Sequence, residues 1–226
     1  MYIFLDTETT GVGDFDRLYQ VAFKYNGHEV NEFFNPNTPL HPEAARMGGV
    51  TDSGLSKYPT FMGSPTWELL RDLLNSGDYT LVAHNARFDI RMLEAEGLVV
   101  DRHICTLKIV RQLHPEYRMH NLQHLREVYS LDDILPEARP HDAFGDVLVL
   151  KALFERLYAE AGAKLGNNPI EWLLYTSYVP NIHVVMPFGK YKDTPVDEVP
   201  SEYLEYLQRQ PNLDEDMAAT LVALGV

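Results

Sequence analysis

The chain opens on an apolar run, Tyr2-Ile3-Phe4-Leu5, that leads straight into Asp6 and, two residues on, Glu8. Such a run reads as a strand that starts the fold. Side chains alternate along a strand, so residues i and i+2 point to one face. Asp6 and Glu8 therefore converge at the strand end, with no Lys or Arg near them in sequence. Like charges that close repel unless a cation sits between them. A divalent ion serves, because Mg²⁺ and Mn²⁺ prefer oxygen ligands. Two solvated acids at a strand end would show the same spacing.

The pattern beyond residue 9 predicts further strands over 18–25 and 29–35, with Asn26-Gly27 as a hairpin turn. A loop with a short helix near 42–47 follows, then a helix over 66–75 and a strand over 79–84. Asn85 stands at the N-cap of a helix from about 86 to 96, closed by Gly97. A strand over 100–105 and helices near 107–113 and 121–129 come next. From Asp142 to Tyr158 the apolar positions Ala143, Val147, Leu150, Phe154 and Leu157 step by four and three, the mark of an amphipathic helix. Gly, Asn and Pro at 162–169 read as a linker, followed by a short helix near 170–175. The tail reads as an apolar strand over 182–186, a turn, and two short helices. This gives an α/β domain over 1–161 with a mixed five-stranded sheet, a linker with a short helix over 162–177, and a small α+β module over 178–226. Under about 50 residues, such a module needs the main domain for stability.

Two more acidic segments fall at element boundaries. In HNARFD, residues 84–89, Asp89 lies in the first turns of a helix that follows a strand. It is thus near the strand C-terminal edge, where open α/β sheets place their sites. In HDAFGD, residues 141–146, five helical steps turn roughly 500°, which would leave His141 and Asp146 about 140° apart. His141 therefore precedes the helix, Asp142 caps it, and Asp146 lies inside it. A loop histidine beside a helix-borne carboxylate can act as a base next to a metal ligand.

The net charge of −14 argues against a protein that coats nucleic acid by bulk positive potential. It agrees with acids that hold cations. Between Arg87 and Arg126, seven Lys/Arg oppose five acids, a net of +2 that hints at an anion-facing surface. The single cysteine, Cys105, excludes a disulfide framework and a cysteine zinc site, and reads as a buried small hydrophobe. No stretch is apolar enough to span a bilayer, and no basic leader precedes an apolar run, so a cytoplasmic protein with no membrane partner is expected.

DTETTG at 6–11, HNARFD and HDAFGD together resemble the three motifs of the DnaQ-like 3′–5′ exonucleases of the DEDDh subgroup. The segment 105–115 and the tail stretch 188–207 resemble the exonuclease X branch of that family. The resemblance implies a ribonuclease H-like three-layer fold and two Mg²⁺ or Mn²⁺ ions held by Asp6, Glu8, Asp89 and Asp146. It also implies His141 as general base and hydrolysis of single-stranded or frayed DNA 3′ ends to nucleoside 5′-monophosphates. Thr9, Thr10 and Gly11 would seat the terminal nucleotide and Phe88 would stack or wedge a base. Lys190 and Lys192, interleaved with aromatics, would hold a single strand. Thr106 and Lys108 would lie near a phosphate. An exoribonuclease of the same fold and a non-catalytic nucleic-acid- or polymerase-binding module are the alternatives. Homodimerisation and polymerase association both stay open. The sequence departs from the family pattern at Gly48, where a histidine is usual.

Overall fold

The computed structural model describes residues 1–117, 119–133, 142–166 and 168–226. Strand β1 (Tyr2–Thr9) lies at the centre of a five-stranded sheet. It pairs antiparallel with β2 (Leu18–Tyr25), which pairs with β3 (His28–Phe33). Asn26 and Gly27, both at positive φ, close that hairpin as expected. Helices α1 (Pro42–Gly48), α2 (Asp52–Leu55) and α3 (Pro65–Asn75) lead to β4 (Thr80–Ala83), parallel to β1. Helix α4 (Ala86–Ala95) crosses to β5 (His103–Cys105), parallel to β4. The order β3-β2-β1-β4-β5 is the mixed sheet expected.

The two faces of β1 are covered by different helices, and this sets the site. Ile3 and Leu5 join Leu70 and Leu74 of α3 and Leu93 of α4 in one core. Phe4 points the other way. It joins α5 (Thr106–Leu113), α6 (Leu122–Val128), α7 (Ala143–Leu165) and α8 (Pro169–Tyr178) in a second core. Phe4 meets Phe154 of α7 edge-on at 5.4 Å. By the period of two, Asp6 and Glu8 share the α7 face with Phe4, and Thr7 shares the α4 face with Leu5.

Register breaks between Glu8 and Thr9, which pair with Gln20 and Leu18. Tyr19 is the extra residue of this bulge, a distortion that recurs beside active sites.

Two boundaries differ from expectation. Helix α7 continues through Gly162 to Leu165, and α8 buries Leu173 in the same core as α7. Ser177 of α8 accepts a hydrogen bond from the Cys105 amide at 2.8 Å. The segment expected as a linker is therefore mostly helix packed on the sheet; a single Gly inside a long apolar pattern is tolerated at about 1 kcal/mol. The strand expected over 182–186 is reduced to one bridge, Val185 to Pro195. Its partner segment starts with a proline, which has no amide hydrogen to extend a ladder. The tail instead packs a 3₁₀ turn (Val196–Glu198), α9 (Ser201–Gln208) and α10 (Glu215–Leu224) around Met186, Leu204 and Met217.

The tail docks through charge. Buried Asp216 accepts from Arg111 at 3.0 Å and from the Asn181 amide at 2.9 Å, while Lys108 bonds Glu215 at 2.8 Å and the Val179 carbonyl at 3.0 Å. Asp216→Ala strands the Arg111 guanidinium and should cost about 1.5–3 kcal/mol, the worth of hydrogen bonds to a charged group. Urea denaturation should show the loss, and limited proteolysis should cut the tail faster.

Candidate active site

Asp6 and Glu8 reach the α7 face of β1, and Asp146 reaches them from the first turn of α7. One carboxylate oxygen from each of the three lies within 4.8 Å of the others. Helix α7 starts where Asp142 caps it, its carboxylate accepting from the Gly145 amide at 3.2 Å, as the sequence implies. Asp89 comes from the opposite layer. It is 2% exposed, and its Oδ1 accepts from the Thr7 amide at 3.1 Å and the Thr7 hydroxyl at 2.8 Å. The strand thus gathers acids from both of its faces. His141 lies outside the described residues.

Burial raises Asp6, Glu8 and Asp89 above their ordinary range, and for Asp6 and Glu8 the neighbouring acids add to it. Asp6 is raised well above a normal aspartate, by burial first and then by Asp89, Asp146, Glu8 and Asp142. Burial followed by Asp146, Asp142 and Asp89 pushes Glu8 up to about 8. Asp89 is raised to about 7 by burial, although its bonds to Thr7 pull the other way. An all-oxygen set of crowded carboxylates fits a hard divalent cation, which would relieve both burial and repulsion.

Beside the acids runs a cleft of about 860 Å³, lined by Glu8, Thr9, Gly11, His41, Met47 and Phe88. The Thr9 hydroxyl donates to the Gly11 carbonyl at 2.6 Å. Thr10 is fully buried. Its amide donates to the Arg17 carbonyl, its carbonyl accepts from the His41 amide, and its hydroxyl bonds Asp16 at 2.7 Å. Those bonds hold the loop rather than face the cleft. Phe88 lines the cleft under the Arg91 guanidinium, 5.7 Å from the ring centre. Arg91 also bonds the Val12 carbonyl at 2.7 Å and Asp14 at 3.2 Å, tying α4 to the loop. On that loop Val12 is 78% and Phe15 87% exposed. Phe15 was not singled out from sequence; an aromatic in a Gly-rich loop after the acid-bearing strand is the signal that could have found it.

Lys192 lines a separate cavity of about 500 Å³ with His84 and Tyr117, and Lys190 sits over the Tyr191 ring at 5.1 Å. Neither joins the carboxylates. Asn85 occupies the N-cap position with φ of 64° and no capping hydrogen bond, a correction to the expectation. His84 bonds the Thr106 hydroxyl at 2.9 Å and the His120 carbonyl at 2.7 Å, so neither His84 nor Thr106 faces an anion in that role. Arg91, Lys108 and Arg111, counted toward a basic surface, are paired with Asp14, Glu215 and Asp216. Cys105 is buried, which pushes its thiol pKa up. Among the described residues no helix is long and apolar enough to cross a membrane.

Gly48 has a local cause. A Cβ there would stand 2.0 Å from the Tyr19 hydroxyl, and the Tyr19 ring is 1% exposed and unable to swing away. Gly48→Ala should therefore cost about 1–3 kcal/mol by overpacking. Tyr19→Phe in the same chain should restore most of it, as thermal denaturation of the single and double variants would show.

Residues 3–154 match the family described as Exonuclease (RNase_T), and the chain belongs to that family. Its sheet and helices form the ribonuclease H-like fold of these enzymes. Residues 178–219 match a second family, described as "Putative quorum-sensing-regulated virulence factor". Among curated relatives, the PolC-type DNA polymerase III of Streptococcus pneumoniae is 32% identical over 146 residues, 58% of this chain and 9% of the polymerase. That of Bacillus subtilis is 31% identical over 149 residues, 58% of this chain and 10% of the polymerase. The chain thus matches about a tenth of the length of these relatives. Among solved structures, Exonuclease X in complex with 5′ overhanging duplex DNA superposes with a TM-score of 0.57 at 23% identity, covering 78% of this chain and 99% of that one. Escherichia coli Exonuclease I in complex with a dA16 oligonucleotide gives 0.55 at 16%, covering 72% and 43%.

The raised carboxyl groups make a pH prediction. The folded chain binds more protons than the unfolded one between about pH 4, the ordinary carboxyl value, and the Glu8 value of about 8. Without metal, stability should therefore fall as pH rises through that window. Melting in EDTA should drop between about pH 5 and pH 8. Mg²⁺ or Mn²⁺ at a hundredfold excess over Kd should add about 2.7 kcal/mol, or roughly 5–10 °C, with the larger gain at the higher pH.

Proposed function

We propose that the chain is a metal-dependent 3′–5′ exonuclease that shortens DNA from its 3′ end and releases nucleoside 5′-monophosphates. The observation that carries this reading is the convergence of Asp6, Glu8 and Asp146 within 4.8 Å, with Asp89 brought to the same strand from the other layer. These four residues would hold Mg²⁺ or Mn²⁺. When bound, a pair of such ions supplies charge neutralisation and Lewis acidity at a phosphodiester.

The chain's own groups do the rest. Thr7 fixes Asp89 by two hydrogen bonds, so that carboxylate keeps one orientation. The cleft beside Glu8 is open toward Gly11 and Phe88, and receives the terminal nucleotide. Phe88 and the exposed Phe15 offer aromatic faces on which a base can stack. His141, placed by its motif just before α7, takes the proton of the attacking water on a ring nitrogen; a pKa near neutrality suits that task.

Two named likenesses favour DNA: Exonuclease X was captured with duplex DNA and Exonuclease I with a dA16 oligonucleotide. The PolC-type relatives are polymerases, which supports a polymerase-associated role for a chain with this domain.

The test is a time course on 5′-labelled single-stranded DNA and RNA of one sequence, with Mg²⁺, Mn²⁺ or EDTA. A ladder that shortens from the 3′ end only with metal, and faster on DNA, is expected. Asp146→Asn should cost at least about 100-fold, since loss of a mere supporting partner of a metal ligand costs 10–100-fold. Undiminished turnover in that variant would remove Asp146 from the site, and faster cleavage of RNA would reassign the substrate.

A further inference from the structure

Gln123 is the second residue of α6, a segment the motifs do not include. Its side-chain Nε2 donates a hydrogen bond to Oδ1 of Asp146. Both ends of this contact are held. Leu125, two residues along the same helix, is fully buried in the core that α7 shares. Asn121 caps α6 by accepting from the His124 amide at 2.9 Å. The residue before that cap, His120, presents its carbonyl to His84 Nε2 at 2.7 Å. A carbonyl only accepts, so His84 carries its proton on Nε2, and its Nδ1 accepts from the Thr106 hydroxyl at 2.9 Å. Burial lowers the His84 pKa to about 4, which keeps the ring neutral and this tautomer in place. The end of β4 thus anchors α6, and α6 aims Gln123 at Asp146.

We propose that Gln123 is a positioning residue that helps set which way the Asp146 carboxylate faces; the inference rests on the reading of Asp6, Glu8 and Asp146 as cation ligands. The last torsion of an aspartate is broad and two-fold, so a carboxylate on a helix needs an outside contact to fix it. A carboxylate has about four acceptor sites, and the N–H of Gln123 takes one of them while restricting its rotation. The choice of an amide also matters. A lysine or arginine at this position would neutralise the acids itself and compete with a cation. A glutamate would add a further carboxylate to a set already crowded within 4.8 Å. A neutral donor does neither.

The test compares the full-length wild type with Gln123→Leu and Gln123→Met, which keep similar bulk and helix propensity but have no donor. Mn²⁺ binding is measured by calorimetry, which needs no turnover. The expected result is a Kd weakened by about 10–100-fold in both variants. Exonuclease turnover at limiting Mn²⁺ should fall, and excess Mn²⁺ should restore it with the KM for DNA unchanged. A defect of packing alone would not be titrated away by metal. Urea denaturation in EDTA identifies a variant that fails to fold, and the other variant then decides. Wild-type Mn²⁺ affinity in a folded variant would overturn the role of Gln123. Absence of Mn²⁺ uptake by the wild type would instead overturn the cation reading of the carboxylates, and the role of Gln123 with it.

Discussion

The structure depends on like charges that are forced together. Asp6, Glu8 and Asp146 meet because β1 is anchored on both faces by apolar packing: Ile3 and Leu5 against α3 and α4, Phe4 against α7. Neither core can relax to separate the acids without exposing these residues. Burying one such side chain is worth about 1.5–3 kcal/mol, and several act at once. The fold thus overrides repulsion that would otherwise push the strand end and the helix start apart. What the acids then do is take up protons, as the raised values of Asp6, Glu8 and Asp89 show. A site under that pressure has a strong thermodynamic preference for anything cationic that fits between the oxygens.

Three of the groups that hold acids at and beside this site are uncharged. Thr7 donates to Asp89, Gln20 to Asp142 at 3.4 Å, and Gln123 to Asp146. Each contact orients a carboxylate and none cancels its charge. Three cations are used elsewhere: Arg91 holds the loop after β1, while Lys108 and Arg111 hold the tail. These three of the seven cations of the basic stretch from Arg87 to Arg126 are therefore engaged within the chain.

Features set by local periodicity could be read from the sequence. The period of two put Asp6 and Glu8 on one face, the 3.6 period found α7, and Asp142 capped it as its side-chain chemistry requires. The Asn26-Gly27 hairpin followed from the two positive φ angles that its turn demands. Features set by packing could not be read. Asn85 has the right residue type for a cap, yet the turn between β4 and α4 takes it into the left-handed region and away from the helix amides. The passage of α7 through Gly162 is decided by apolar burial against the sheet, which outweighs one glycine's propensity. Gln123 has no sequence signal, because an amide at helix position two becomes meaningful only once α6 is known to face α7. Tyr19 and Gly48 are 29 residues apart in numbering and constrain each other only through the bulge that turns Tyr19 toward α1.

The charge balance bears on how a nucleic acid would be held. Proteins that neutralise many phosphates release counterions and gain affinity in proportion. This chain carries a net charge of −14, and its Arg91, Lys108 and Arg111 are paired with its own acids. The affinity the proposed function requires must then come from short-range terms. The loop that follows β1 supplies them: Val12 lines the cleft together with Phe88 and Met47, and Phe15 stands exposed on the same loop. Stacking on such side chains is worth about 1–3 kcal/mol per base and is indifferent to sequence. An end-directed nuclease must grip whichever terminal base arrives and still let the shortened strand advance after each cut. Weak long-range attraction with local stacking satisfies both demands, whereas a strongly basic groove would favour holding over release.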